Sequence, residues 1–225
     1  MSEFQSISRE STLKFVEFGI LNFHEARGLQ ETLIERRHRN DCPDTVLLGE
    51  HPPTLSIGRR VHKDELQLTL DEWKRLGIQP VEADRGGSAT YHGPGQIIIY
   101  PVVAIRAKKL GVRVFVRVGL EAIAQVCVSF NLPAASDLCD AGVWISGSGT
   151  ERRKIASVGL HIVHGVTNHG FAFNVSCSLE AFQLFRPCGL SGAAMTSLSE
   201  ELSGARPVST VVLNRLKFYL ERAWT

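Results

Sequence analysis

Twelve residues, Arg85-Gly-Gly-Ser-Ala-Thr-Tyr-His-Gly-Pro-Gly-Gln96, restrict this chain more than any other stretch. Four glycines and a proline in that length rule out an ordinary helix or a central strand. The segment therefore reads as a shaped loop whose backbone comes close to something. The apolar run Ile97 to Val103 follows at once and reads as a buried strand. A polar, glycine-rich loop delivered by a core strand is how a rigid scaffold presents a binding site. A tight surface connection with incidental polar groups is the other reading, and the segment alone leaves both open.

With 225 residues, 44% of them hydrophobic and 21% charged, the chain can bury one sizeable core. The expected organisation is one domain over residues 1–225, with a flexible start at 1–12. A formal net charge of +2 is too mild for a nucleic-acid binder, and no basic run is interleaved with aromatics. Five cysteines (Cys42, Cys127, Cys139, Cys177 and Cys188) are scattered without paired Cys or His spacing. An odd, dispersed set argues against a disulfide framework and against structural zinc. Met1 to Thr12 lacks the apolar centre of a secretory signal, and no apolar run approaches the roughly 20 residues that span a bilayer. A cytoplasmic protein with no metal and no membrane contact is expected.

Taken in order, Leu13 to Gly19 alternates like a strand. Asn22 and Glu25 form a capping-box pattern that opens a helix to about Asn40, with Phe23, Ala26, Leu29 and Leu33 on its inner side. Strands are predicted at Asp44–Leu48, Thr54–Ile57, Ile78–Ala83, Ile97–Val103 and Gly142–Ile145, and a brief helix at Leu70–Leu76 is stopped by Gly77. Val112 to Phe130 reads as a partly buried helix, and Gly147 to Arg153 as a polar connection. Lys154–Val163 and Val166–Val175 flank His164-Gly165 as a hairpin. A short helix is expected around Leu179–Phe185. The last helix, Ser209 to Trp224, offers Val211, Val212, Leu216, Phe218 and Leu220 for packing. Strands grouped together rather than alternating with helices predict a mixed α+β fold, not a doubly wound sheet.

Among chemical groups, Cys188 lies in Arg186-Pro-Cys-Gly-Leu190, a sharp turn with small neighbours. It is either a nucleophile open to an electrophile or a small buried hydrophobe. Lys154, at the mouth of the strand Lys-Ile-Ala-Ser-Val-Gly159, is either a solubilising end charge or a group facing a ligand. His169 is either a ligand or a satisfied core residue. No serine triad, phosphate loop or dinucleotide fingerprint is present.

Together the segments Arg85-Gly-Gly…Tyr-His-Gly-Pro-Gly-Gln96, Lys154-Ile-Ala-Ser-Val-Gly159, His169-Gly-Phe-Ala-Phe-Asn174 and Pro187-Cys-Gly-Leu190…Thr196-Ser-Leu198 resemble the signatures of lipoyl(octanoyl) transferases, in that family's order. Glu50-His-Pro-Pro53 and Ile57-Gly-Arg59 fit as well. The connection Ser146 to Arg153 is longer than the family's, and Thr54-Leu-Ser56 replaces a segment that usually holds a tyrosine. The resemblance implies the fold of lipoate and biotin protein ligases, a mixed, largely antiparallel sheet with packed helices. It implies an enzyme that moves an octanoyl group from octanoyl-acyl carrier protein to a lysine of lipoyl domains, without cofactor. The acceptors would be the lipoyl domains of 2-oxoacid dehydrogenase complexes and the glycine cleavage H protein. Cys188 and Lys154 would be the catalytic pair. Arg85, Gly86, Gly87, Ser88, Ala89, Thr90, Tyr91, His92, Ser157, Val158, Gly159, Gly170, Phe171 and Ala172 would bind the acyl substrate, with loop amides near the thioester carbonyl and His92 as a positioning group. Two alternatives remain: an ATP-dependent lipoate or biotin ligase, which does without the cysteine, and a non-catalytic acyl or carrier-domain binder.

Overall fold

The computed structural model describes residues 13–62, 65–147, 151–186 and 195–225. In chain order its strands are β1 (Leu13–Ile20), β2 (Asp44–Glu50), β3 (Thr54–Ile57), β4 (Gln79–Glu82), β5 (Ala89–His92), β6 (Gln96–Val102), β7 (Ala134–Asp137), β8 (Gly142–Ser146), β9 (Arg152–Val163) and β10 (Val166–Asn174). The helices are α1 (Phe23–His38), α2 (Leu70–Arg75), α3 (Val112–Val128), α4 (Leu198–Glu201) and α5 (Ser209–Trp224), with a 3₁₀ turn at Glu180–Leu184. One sheet has seven strands in the order β1-β2-β6-β10-β9-β8-β7, and a second has three, β4-β3-β5. Among the strands described, β1–β2 and β3–β4 pair in parallel and the other pairings are antiparallel. The chain adopts the mixed α+β class expected from the grouped strands, with the largely antiparallel sheet that the family resemblance implied.

The run Ile97 to Val102 has no polar face because both sides of β6 are covered. Ile97 and Ile99 point into a core made with α3 and α5, and Ile98 and Tyr100 into a second core under α1. α5 presents Val212, Leu216, Leu220 and Trp224 at four-residue intervals to the first core. Val211 and Phe218, read as packing residues from the sequence, fall off that stripe and are 39% and 53% exposed. α1 has the predicted capping box, with the Asn22 side chain accepting from Glu25 N. Its buried stripe is Phe23, Ala26, Gln30 and Ile34, so Leu29, expected inside, is exposed. The polar Gln30 takes an inner position because its side-chain oxygen accepts from His169 N at 2.9 Å.

Two further corrections concern the loops. The glycine-rich segment is not loop throughout: Ala89–His92, between its glycine pairs, forms β5 at an edge of the small sheet, antiparallel to β3. Gly87 and Gly95 alone in the segment take a positive φ (+86° and +83°), so the turning is done outside those four residues. At the other end, Arg152 and Arg153, read as connection, already belong to β9. β7 and α4 had no counterpart in the sequence reading. The β9–β10 turn has positive φ at both His164 (+51°) and Gly165 (+83°), the conformation that continues strand twist through a two-residue hairpin. Among the described residues no helix is long and apolar enough to cross a membrane.

Candidate active site

β9 and β10 build the floor of a cleft. Their register sets Ser157 opposite Ala172 and Gly159 opposite Gly170, two successive same-face pairs of small residues that leave a trough above the sheet. On β6, Ile98 lies beside Ala172 and continues the floor. At two points in this floor even a single added Cβ would not be accommodated. One added at Gly170 would lie 2.0 Å from the Ile99 carbonyl oxygen, and one at Gly159 would lie 2.9 Å from the Gly86 carbonyl oxygen.

An irregularity in β9 decides what stands at the end of the trough. Val143 pairs with Ala156 but Trp144 pairs with Lys154, so Ile155 is an extra residue, a β-bulge. Ile155 and Ala156 consequently both enter the helix-covered core, and Lys154 turns to the same face as Ser157. Without the bulge, strict alternation would put the lysine on the opposite face from Ser157. Lys154 is 7% exposed; its Nζ donates to Ala141 O at 3.3 Å and lies 4.6 Å from the centroid of the Trp144 ring.

The cleft, about 720 Å³ including its open mouth, is lined by Arg85, Gly87, Ser88, Ala89, Thr90 and His92 from the glycine segment. Ser157, Val158, Gly159, Gly170, Phe171, Ala172 and Lys154 line it from the hairpin. Two residues expected to bind substrate do not line it. Tyr91 alternates to the far side of β5, where it packs edge-on against Phe182. Gly86 N–H donates to Leu160 O at 3.1 Å, which ties the loop to β9 and commits that amide elsewhere. Cys188 lies outside the described residues; its downstream neighbour Met195 lines the cleft and its backbone bridges Lys154. Phe23, Ile98, Tyr100, Ala141, His169 and Met195 also line the cleft without having been assigned to a substrate site from sequence.

The polar groups around the cleft are mutually engaged. Arg85 donates through Nε and Nη2 to Ser56 Oγ (3.2 and 2.8 Å) and through Nη2 to Ser56 O (2.6 Å). Ser56 Oγ–H in turn donates to His92 Nε2 (2.9 Å), and His92 Nδ1–H to Gln96 Oε1 (2.7 Å). Gln96 Nε2 donates to Tyr91 O and Asn174 Oδ1, and Asn174 Nδ2 to Thr196 O at 3.0 Å. Ser88 donates to Glu65. His51 donates from Nδ1 to Leu21 O (2.6 Å) and accepts at Nε2 from the Tyr100 hydroxyl (2.8 Å). Each tautomer follows from its partners.

Burial, the largest cause, pushes the His92 imidazole well below the ordinary histidine range, helped by the nearby His51 and Arg85 and opposed by Gln96. Burial also lowers His51 and His169. Asp84 behaves differently: burial would raise it, but the hydrogen bond from His169 Nε2 (2.6 Å) and the charges of His169 and Arg27 hold its carboxyl at about 2. At neutral pH the walls therefore present neutral imidazoles, rings and small side chains, with the Arg85 guanidinium held by Ser56 and Lys154 at one end, a surface most of which suits an apolar chain. The buried Cys127 and Cys177 thiols are pushed up to about 12 by desolvation, which makes them poor nucleophiles. Of the missed wall residues, His169 had a signal in the sequence, its place next to Gly170 in a segment already singled out.

Compared with known proteins, the chain matches the model of the lipoyl protein ligase A/B catalytic domain over residues 22–217. The octanoyltransferase of Syntrophobacter fumaroxidans is 36% identical over 213 residues, which cover 93% of this chain and 91% of that protein. That of Alkaliphilus metalliredigens is 38% identical over 206 residues, 90% of each chain. A crystal structure of lipoate-protein ligase A bound with ATP shares the fold, with a TM-score of 0.68 at 18% identity over 94% of this chain and 84% of that one.

Proposed function

Because the chain belongs to the lipoyl protein ligase A/B catalytic domain family and is an octanoyltransferase of lipoate biosynthesis, we propose that it takes its octanoyl group from octanoyl-acyl carrier protein, holds it as a thioester on Cys188, and passes it to a lysine of a lipoyl domain. Acceptors of this chemistry are the lipoyl domains of 2-oxoacid dehydrogenase complexes and the glycine cleavage H protein.

The observation that carries this reading is the bulge-turned Lys154 at one end of a neutral trough floored by Ser157, Gly159, Gly170 and Ala172. A thioester is an activated acyl donor, so transfer to a thiol needs no nucleotide. The Cys188 thiolate attacks the carbonyl carbon, the tetrahedral intermediate collapses, and the carrier leaves as its thiol with the proton given up by the Lys154 ammonium, which is left neutral. A free thiol with a pKa of about 8.5 is only a few per cent ionised at neutral pH, and a neighbouring ammonium favours the thiolate. In the second step the acceptor's ε-amine attacks the enzyme thioester and gives up a proton to neutral Lys154, and the Cys188 thiolate is expelled. His92, buried and hydrogen-bonded at both ring nitrogens, orients the Arg85 segment rather than carrying protons.

Intact-protein mass after incubation with octanoyl-acyl carrier protein, without ATP, tests the proposal. The expected result is one octanoyl adduct that maps to Cys188 and is absent from Cys188→Ser, while serine at Cys42, Cys127, Cys139 or Cys177 leaves turnover within a few fold. An adduct that requires ATP and free octanoic acid supports a ligase instead, and no adduct supports a binder.

A further inference from the structure

The bulge that turns Lys154 also drops it onto the start of β8, and we infer that Trp144 and Gly142 form a cradle that fixes this lysine for acyl transfer, Trp144 acting as a positioning residue for the ammonium. The inference rests on the proposed role of Lys154 and concerns what holds it.

Three contacts define the cradle. Trp144 is the cross-strand partner of Lys154, and the lysine Nζ stands 4.6 Å from the ring centroid, within the distance at which an aromatic face attracts a cation. The ring cannot swing away freely, because its Nε1–H donates to Asp140 O at 2.9 Å and the residue is 5% exposed. The lysine stem crosses Gly142: a Cβ there would lie 2.9 Å from Lys154 Cε and 2.6 Å from Ala156 O. Any side chain at position 142 would occupy the path that the lysine takes to the Ala141 carbonyl.

The choice of an aromatic ring has a chemical consequence. Its quadrupole attracts the ammonium and not the neutral amine, so it favours the protonated lysine that supports a thiolate. It carries no proton-holding charge of its own, so it leaves the lysine able to deprotonate for aminolysis in a way that a carboxylate at the same place would oppose. The charges nearby are taken up elsewhere. Arg152, whose guanidinium also lies 4.6 Å from the Trp144 centroid, pairs with Asp137 at 2.8 Å, and Arg153 pairs with Glu201 at 2.8 Å.

The test compares Trp144→Leu, Trp144→Phe, Gly142→Ala and Lys154→Met in octanoyl transfer from octanoyl-acyl carrier protein, with thermal melts as a folding check. For Trp144→Leu, kcat should fall about tenfold, equivalent to about 1.4 kcal/mol, with KM for the acyl donor unchanged. The limb of the kcat–pH profile that Lys154→Met removes should move to lower pH, since the ammonium has lost a stabilising face. Trp144→Phe, which keeps an aromatic face, should recover most of the rate, and Gly142→Ala should lose kcat without losing substrate affinity. If Trp144→Leu does not fold, the pH limb of Trp144→Phe and the kcat of Gly142→Ala decide: wild-type values in both overturn the cradle. A Lys154→Met variant with strongly reduced but measurable kcat beside a folded, wild-type-like Trp144→Leu overturns the inference alone. A fully active Lys154→Met overturns the proposed role of the lysine and the inference with it.

Discussion

On the face of the seven-stranded sheet covered by α3 and α5, the buried side chains are Phe115, Leu120, Leu216, Trp224 and their apolar neighbours. On the face that looks toward α1 and the small sheet they include Gln30, His51, His92, Gln96 and His169, each no more than 6% exposed. Equal burial thus serves two ends. The helical face is held by volume and area, as where Gly119 lets the Phe171 and Trp224 rings approach α3. The site face is held by assigned donors and acceptors, and one nitrogen there, His169 Nδ1, has no hydrogen-bond partner among the described residues. Apolar packing tolerates exchange of shape within limits; a closed polar network does not tolerate the loss of a member without unpairing the next one.

Exchanging damage between the faces is the strongest way to break this comparison. Phe115, fully buried and stacked on Trp224 at 4.7 Å between ring centroids, should cost about 3–5 kcal/mol when changed to alanine. The activity of the molecules that remain folded should stay within about twofold, a margin far below the roughly tenfold that 1.4 kcal/mol at the transition state would give. Ser56→Ala should do the reverse. It removes the hydroxyl shared by Arg85 and His92, costs about 1–3 kcal/mol of stability, and should raise KM for the acyl donor about tenfold. Urea midpoints and steady-state kinetics on both variants settle the matter; similar activity losses in the two would erase the distinction.

A pH titration of stability sharpens it. His51, His92 and His169 all have pKa values depressed by burial. The unfolded imidazoles bind protons near pH 6.5 while the folded ones do not, so stability is complete above about 6.5 and is lost as pH falls through the folded values. Urea midpoints should decline from pH 7 to 5, and His92→Gln should decline less steeply. A flat profile over that range would mean the site face does not hold its histidines neutral.

The smallest effect expected is at the surface. Of the basic pairs that could receive an acidic partner, Arg59-Arg60 and Lys108-Lys109, the second is partly spent, since Lys108 is already engaged by Asp44 Oδ2 at 3.3 Å and Trp224 O at 2.5 Å. Arg59 and Arg60 are exposed, and their amides bond to the carbonyls of Arg85 and Gly87 beside the cleft. Raising salt from about 0.02 to 0.3 M, a range that straddles the roughly 10 Å screening length at 0.1 M, should lower kcat/KM a few fold with little change in kcat. Arg59→Ala and Arg60→Ala together should remove that salt dependence, and Lys108→Ala should leave it in place.

Much of the architecture was legible because it rests on local rules. The Asn22–Glu25 capping box, the His164-Gly165 turn and the doubly buried Ile97–Val102 run each carry their own signal. Tertiary demands decided the rest. Gln30 displaced Leu29 from the inner stripe of α1 because His169 N needed an acceptor. Tyr91 left the expected substrate wall once Ala89–His92 became a strand and alternated. The bulge at Ile155 has no mark in Lys-Ile-Ala-Ser-Val-Gly, since it exists only relative to β8. Asp84, Tyr100 and Trp144 are spelled out in the chain, yet their relation to the cleft depends on which strands lie side by side.

The main chain of Lys154 accepts from Thr196 N at 2.9 Å and bridges Met195, seven positions after Cys188. This lysine is therefore two parts joined at one α-carbon: a backbone that anchors the segment following the cysteine, and a side chain proposed for proton transfer. Shortening the side chain leaves the anchorage in place. An alanine at position 154 would open a cation-shaped vacancy beside an otherwise intact floor, so small alkylamines supplied in solution become the natural probes of it. Their size and basicity can be varied independently, separating what the site asks of an ammonium from what it asks of a base.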